Sequence, residues 1–208
     1  MAIKAILFDT EMVRAILEGR KSCTRRIVKP QQLIGMLPDK CKNGASEKFL
    51  KEKKLMFKPY CDMTDIELIN TAYKAPYQPG DILYVRETWK KAPNGYYYYE
   101  DWQRNDIADV TKWKPSIRMP KEAARIWLKV TDVRVERLQE ISAESALAEG
   151  ADKYIHTNGG LDENMTITSF IGIWNSTIKK SDIDRYGWDA NPYVWIIEFE
   201  RCEKPEGV

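Results

Sequence analysis

The sequence GRKSCTRR, residues 19–26, places four cations around two hydroxyls and a thiol within eight residues. The residues before it carry apolar side chains at the spacing of a helix: Met12, Val13, Ile16 and Leu17. Thr10 is a plausible N-cap for this helix, and Gly19 is a good stop. Thr24 to Val28 is typical of an extended strand. The basic segment is therefore predicted to lie at a turn between a helix and a strand.

Outward from this segment, the pattern predicts short strands and helices without the regular alternation of a doubly wound sheet. Strands are predicted at Ala5–Phe8, Ile82–Trp89, Arg125–Leu138 with a bend near Thr131–Asp132, and Tyr193–Arg201. The tract GYYYYEDW, residues 95–102, favours an exposed hairpin, and helices are predicted from Ser142 to Gly150 and over Thr168–Ile178. We therefore expect an α+β fold.

The segment ILYVRETW, residues 82–89, follows a Pro-Gly-Asp turn and alternates like a half-buried strand. The alternation predicts Glu87 and Trp89 on the same face as Leu83 and Val85. Burial among apolar side chains would raise the pKa of Glu87, which suits acid–base chemistry. The alternative is a structural ion pair of Glu87 with Arg86 or Arg26.

Length and composition indicate one soluble domain. The 208 residues are 43% hydrophobic and 31% charged, which excludes disordered and fibrous classes. We expect a single domain over 1–208 with an insertion at about 31–75, including one short helix at Glu47–Leu55. No apolar run is long enough to cross a membrane and no secretory segment is evident, so a cytoplasmic protein without membrane contact is expected. The sequence does not indicate an oligomeric state.

Charge and motifs narrow the chemistry. Residues 1–60 hold 14 Lys and Arg against 6 Asp and Glu, whereas the rest holds 19 against 25, so the basic part offers a place for phosphate. Four cysteines without a C-x-x-C pair indicate reduced thiols, and we expect no metal. His156 is the single histidine, which argues against a Ser–His–Asp triad or a multi-histidine metal site. Neither G-x-x-x-x-G-K-S/T nor G-x-G-x-x-G occurs, so common nucleotide triphosphate and dinucleotide sites are not indicated and we expect no cofactor.

The basic segment allows two interpretations. If Lys21 were partly buried among guanidinium groups, its neutral amine would be favoured and could take a proton from Thr24. The two residues, three apart, meet only if the turn is helical. In the alternative, Lys21, Arg25 and Arg26 are exposed and Thr24 simply begins a strand. Spacing alone favours the alternative.

GRKSCTRR resembles the G-x-K-x-x-T-x-R motif of the ASCH family. PYQPGDILYVRETW, residues 76–89, is similar to the family's glycine turn and strand, and NPYVWIIEFER, residues 191–201, to its closing strand. Arg118-Met119-Pro120 and residues 125–138 resemble the longer bacterial and bacteriophage members, whereas 31–75 is not covered. The resemblance implies a PUA-like β-barrel with flanking short helices and insertions, whose cleft binds RNA or nucleotides.

Three functions follow from this resemblance and from the charge pattern. The first is binding of RNA, other single-stranded nucleic acid or a nucleotide in a basic cleft. The second, implied by a smaller family member, is an N4-acetylcytidine amidohydrolase acting on a modified nucleoside with the trio Lys21, Thr24 and Glu87. The third is an accessory protein that binds a partner through residues 31–75. The predicted nucleic-acid contacts are Arg20, Lys21, Arg25, Arg26, Arg86, Trp89 and Arg118.

Overall fold

The computed structural model of the protein describes residues 1–29, 64–102 and 112–207. The strands are β1 (Ile3–Leu7), β2 (Cys23–Ile27), β3 (Ile82–Arg86), β4 (Trp89–Ala92), β5 (Gly95–Tyr98), β6 (Trp127–Arg137) and β7 (Tyr193–Cys202). The helices are α1 (Thr10–Leu17), α2 (Asp65–Ala72), α3 (Tyr99–Trp102), α4 (Ala143–Ala148), α5 (Glu163–Thr177) and α6 (Ile183–Tyr186). The predicted helix Glu47–Leu55 lies outside the described residues, as does most of the predicted insertion.

Five strands form one sheet in the order β1-β3-β6-β7-β2, and β4 and β5 form a separate hairpin. The pair β1 and β3 is parallel and the other pairs are antiparallel. Arg26 on β2 donates to the carbonyl of Leu7 on β1 at 3.3 Å, so the two edge strands approach each other. The predicted α+β class is confirmed. Within the described residues no backbone ladder joins β1 to β2, so the sheet is not a closed barrel there.

Two apolar clusters lie on opposite faces of the sheet. The larger packs α1 and α2 against one face of the sheet, which we call the inner face, and contains Ile6, Val85 and Ile197. We call the opposite face the outer face. The smaller packs α4 and α5 against β7 and contains Phe170 and Trp174. Since burial of apolar area is the main stabilising force, these clusters fix the position of β2 between them. No helix in the described parts is both long and apolar enough to span a membrane.

Helix starts differ from the predictions because side-chain caps decide them. The carboxylate of Asp9 accepts from the Met12 amide, so Asp9 rather than Thr10 caps α1. Asp162 caps α5 in the same way, and this helix begins at Glu163, five residues before the predicted start. The predicted Ser142 cap of α4 and the bend in β6, a bulge between Val130 and Asp132, are both confirmed.

The end of β3 changes the predicted faces. Because β3 ends at Arg86 and β4 begins at Trp89, the alternation does not continue between them. Glu87 stays buried, as predicted, but Trp89 packs with Ile82 and Trp127 on the outer face of the sheet. The prediction that Trp89 shares a face with Leu83 and Val85 is wrong for this reason.

Candidate functional site

The basic segment is a tight connection between α1 and β2. Gly19 has a φ of 75°, a left-handed conformation that glycine adopts readily, and the amides of Arg20 and Lys21 both donate to the Ala15 carbonyl. The strand begins at Cys23, so the turn is not the helical one through which Lys21 and Thr24 were predicted to meet. Side chains on β2 then alternate between the two faces of the sheet.

On one face, Lys21 and Arg25 meet a single carboxylate, that of Glu149. The Lys21 Nζ lies 2.7 Å from Glu149 Oε2 and 2.7 Å from its backbone carbonyl oxygen. The Arg25 Nη1 lies 3.3 Å from Glu149 Oε1, and its Nη2 donates to Ser145 at 2.9 Å. All three ionic side chains are buried. The charges of these two motif cations are thus engaged inside the protein.

A glycine lets this network close. Gly150 has a φ of 94°, and a Cβ there would come within 3.1 Å of the Cβ of Ala15. A larger residue would therefore be strained at this φ and would crowd Ala15 of α1 next to Lys21. Sequence analysis missed Glu149; its only signal is a carboxylate directly before the glycine that ends a predicted helix.

On the other face of β2, Arg26 has no such partner. Its guanidinium donates to Thr24 Oγ1 at 2.9 Å, to the Arg25 carbonyl at 3.2 Å and to the Leu7 carbonyl at 3.3 Å. No carboxylate in the described parts of the chain forms an ion pair with it. Burial lowers the pKa of Arg26, although the charge of Glu149 acts in the opposite direction. The Thr24 hydroxyl that accepts its hydrogen bond is buried as well.

Arg26 opens into a pocket of about 420 Å³ between β2, β7 and the chain that follows α2. The pocket is lined by Arg26, Ile27, Lys29, Tyr73, Lys74, Pro76, Tyr77 and Trp195. A second pocket of about 490 Å³ shares Tyr73, Lys74 and Trp195 with it and adds Asn70 and Gln78. No Asp or Glu is among the described residues that line either pocket. The two pockets together form a basic, aromatic hollow, which we call the Arg26 pocket.

The tyrosines of the Arg26 pocket are held in place. The Tyr77 hydroxyl donates to the Ala5 carbonyl at 2.9 Å, and burial raises the pKa of Tyr77, so its phenol is neutral near pH 7. Burial raises the pKa of Tyr73 in the same way. Sequence analysis missed both tyrosines and Trp195, because the pocket assembles four separate segments and a tryptophan in a strand usually indicates core.

Glu87 is buried, as predicted, but its partner is Arg125 rather than Arg86 or Arg26. Both carboxylate oxygens accept from the Arg125 guanidinium at 2.9 Å, and Arg125 also binds Asp101 at 2.8 Å. Burial raises the pKa of Glu87, and Arg125 only partly offsets this. Pairing with both carboxylates raises the pKa of Arg125 despite the opposing effect of burial.

No contact among the described residues joins any two members of the predicted trio. Lys21 lies 5.5 Å from the centre of the Phe8 ring, and Arg26, which binds the Thr24 hydroxyl, lies 5.5 Å from the same centre. Lys21 and Arg26 thus both lie beside one phenylalanine ring. Among the described contacts, none links Glu87 to Lys21 or Thr24.

The remaining predicted contacts lie elsewhere. Arg20 is exposed and pairs with Glu18 at 2.7 Å. Arg86 and Trp89 lie on the outer face, where Arg86 donates to the Tyr84 hydroxyl and the Ile117 carbonyl, and Arg118 is exposed directly after Ile117. The seven predicted nucleic-acid residues therefore do not form one surface, and Arg26 is the one among them that lines the basic pocket.

The described ranges contain no group of three or more His, Cys, Asp or Glu side chains arranged to hold a metal ion. No protein-family model matches the sequence, and no curated protein matches it. The structure is similar to the high-resolution crystal structure of the ASCH domain from Lactobacillus crispatus JV V101. The similarity covers 96% of this chain and 79% of that one, with 10% sequence identity and a TM-score of 0.39.

Proposed function

We propose that this protein binds a nucleotide of single-stranded nucleic acid, RNA above all, in the Arg26 pocket. The observation that carries the proposal is the Arg26 guanidinium, a partly buried cation without a carboxylate partner in the described chain. Leaving a charge in such a place costs free energy unless an anion compensates it. A phosphate is a suitable anion, because a guanidinium presents paired donors to its oxygens.

The lining of the pocket supports the same ligand. Lys29 and Lys74 add two cations near Arg26, and the absence of lining carboxylates among the described residues leaves the pocket without local repulsion of phosphate. Tyr73 and Tyr77 are neutral and half-buried, and their rings are available to stack on a base. A volume of about 420 Å³ lies within the ordinary range for small-ligand sites.

Fluorescence anisotropy with a labelled oligouridylate tests the proposal. The wild-type protein should bind with an affinity that falls with salt, and Arg26→Met should weaken binding roughly ten-fold or more, as expected for a lost charged hydrogen bond. The slope of log K against log salt should shrink by about 0.7, the value for one phosphate contact on a single strand. Arg20→Met is the matched control, because Arg20 is exposed and already paired with Glu18. Equal affinity of wild type and Arg26→Met for the oligouridylate would contradict the proposal.

The geometry gives the amidohydrolase less support. Thr24 has a donor beside it in Arg26, which could steady an oxyanion, but the Lys21 amine donates to the buried Glu149 carboxylate instead of facing the Thr24 hydroxyl. Glu87 is held by Arg125. Incubation with N4-acetylcytidine should therefore release no cytidine. Release that Thr24→Val abolishes would reverse the ranking of the two functions.

The accessory protein-binding function remains a prediction for residues 31–75. Of this tract, only residues 64–75 are described, and α2 is the helix they form. The Tyr193 hydroxyl donates to Asp65 on that helix at 2.7 Å, which holds α2 against β7.

A further inference from the structure

A second surface that combines rings and cations lies on the outer face of β3 and β6. Four cations each lie over an aromatic ring: Arg86 over Tyr84 at 5.4 Å, Lys114 over Trp89 at 4.9 Å, Lys91 over Tyr96 at 5.7 Å and Lys204 over Trp127 at 6.0 Å. All four rings belong to one small apolar cluster with Ile82 and Met119, separate from the main core. We call these eight residues the outer aromatic surface.

The charges of this surface are unmatched. Within the described parts of the chain, none of its four cations forms an ion pair with a carboxylate. This is unlike other exposed cations of the sheet, since Lys129 pairs with Glu200 at 3.5 Å and Arg134 contacts Asp132, Glu136 and Glu198. Cations that lie over rings and lack carboxylates can take phosphates, and the half-buried rings of Tyr84 and Tyr96 can stack on bases.

The outer aromatic surface and the Arg26 pocket lie on opposite faces of the sheet, on either side of the edge strand β1. Arg26 donates to the carbonyl of Leu7, and Leu7 pairs in register with Arg86 on β3. Because β1 is an edge strand, a nucleic acid that leaves the pocket reaches Arg86 by passing around β1. The Leu7 side chain is 42% exposed, so an apolar side chain lies between Arg26 and Arg86.

We infer that the outer aromatic surface binds further nucleotides of a single-stranded nucleic acid that places one nucleotide in the Arg26 pocket. The inference rests on the proposed function for the position of that first nucleotide. A single strand fits better than a duplex, because stacking on Tyr84 and Tyr96 needs unpaired bases. The protein then recognises several nucleotides rather than one, with Arg86, Lys91, Lys114 and Lys204 as contacts for phosphates.

Oligonucleotides of two lengths test this. Anisotropy titrations would use oligouridylates of 3 and 16 nucleotides and their deoxy counterparts, because RNA and DNA share the phosphates and the base faces. The wild-type protein should bind the 16-mer more tightly than the 3-mer. The double variant Lys114→Ala, Lys204→Ala should weaken 16-mer binding roughly ten-fold and reduce its salt slope by about 1.4, two single-strand phosphate contacts, while 3-mer binding stays unchanged.

The controls separate this inference from the proposed function. Lys129→Ala removes an exposed cation of β6 that is already paired, so it should leave both probes unaffected. Lys114 and Lys204 are exposed, so their removal should lower the urea midpoint only slightly, through the loss of two exposed cation–π contacts. An unchanged salt slope and unchanged 16-mer affinity in the double variant, for both RNA and DNA, overturn the inference. Failure of the proposed function has another signature, namely no effect of Arg26→Met on the 3-mer while the lysine effect on the 16-mer persists.

Discussion

Arg25 and Arg26 are neighbours on β2, yet they lie on opposite faces of the sheet and in opposite electrostatic surroundings. Arg25 shares the buried Glu149 carboxylate with Lys21. Arg26 binds only neutral oxygens of the described chain and opens into a basic pocket. A cation matched inside the protein contributes to its architecture, whereas an unmatched one is available to a ligand. The basic motif thus performs two tasks, which substitutions can separate.

The largest expected effect is a loss of stability on the face of β2 where Glu149 pairs with Lys21 and Arg25. Glu149→Ala leaves the buried charges of Lys21 and Arg25 without their carboxylate, and the loss of one partner from a buried ion pair costs about 3–5 kcal/mol of unfolding free energy. Urea denaturation measures this loss. The matched control is Arg20→Ala, which breaks an exposed pair and should cost about 1 kcal/mol or less. Equal losses in the two variants would remove the distinction between the buried and exposed cations of the motif.

The two neighbouring arginines give the sharpest contrast. Arg25→Met should lower the free energy of unfolding by roughly 2 kcal/mol or more, because Glu149 and Ser145 lose a charged donor. Arg26→Met removes a desolvated charge without a carboxylate partner, so its loss should stay near 1 kcal/mol, from the hydrogen bonds to Thr24 and Leu7. Urea titrations of both variants under the same conditions measure the difference. A larger loss for Arg26→Met than for Arg25→Met would contradict this comparison.

Local patterns predicted much of the fold. The helix before residue 19, the strand after it, the Ser142 cap and the bulge in β6 depend on side chains within a few residues of each other. The α+β class follows from the order of such elements. Burial of Glu87 was predicted in the same way, from its apolar neighbours on β3.

Pairing over long distances in the sequence could not be predicted. Glu149 reaches Lys21 across 128 residues, and Arg125 reaches Glu87 across 38, while many other charges were equally plausible partners. The Arg26 pocket likewise depends on Tyr73 and Trp195, which come from separate segments. Trp89 was assigned to the wrong face because the end of β3 is fixed by tertiary contacts that strict alternation ignores.

Glu87 is intermediate between the paired Arg25 and the unpaired Arg26. It has a guanidinium partner, and yet burial raises its pKa. A carboxyl group with a folded pKa above its unfolded value stabilises the protein fully below the unfolded pKa, and this contribution is lost as pH rises through the folded pKa. Wild-type stability should therefore decline relative to Glu87→Gln as pH rises from about 4.5, by at most about 1.4 kcal/mol per pH unit.

Urea titrations of wild type and Glu87→Gln at several pH values measure this difference in slope. The matched control is Glu200→Gln, which removes a carboxylate from the exposed pair with Lys129 on the same sheet. Its stability should follow the wild-type pH dependence closely. A wild-type protein that gains stability relative to Glu87→Gln over the same pH range would show that Arg125, rather than burial, controls this carboxyl group.

The smallest effect concerns Cys23, which lies on the matched face beside Arg25. Burial raises the pKa of the Cys23 thiol to about 12, and the charge of Glu149 acts in the same direction. Because the thiolate is the reactive form, Cys23 should react with a disulfide reagent at pH 8 only when the structure opens. A variant with Cys41, Cys61 and Cys202 replaced by serine isolates this thiol, and absorbance of the released thiolate measures its rate.

A second variant that keeps only Cys202 provides the comparison, because Cys202 is partly exposed. Cys202 should react faster than Cys23, and Glu149→Gln should accelerate only Cys23, since it weakens the ion pairs that hold β2 against α4. If Cys23 reacted as fast as Cys202 in the otherwise intact protein, the matched face of β2 would open readily. The Glu149 carboxylate would then contribute little to holding β2 against α4, and the two faces of β2 would differ less in stability than their charges indicate.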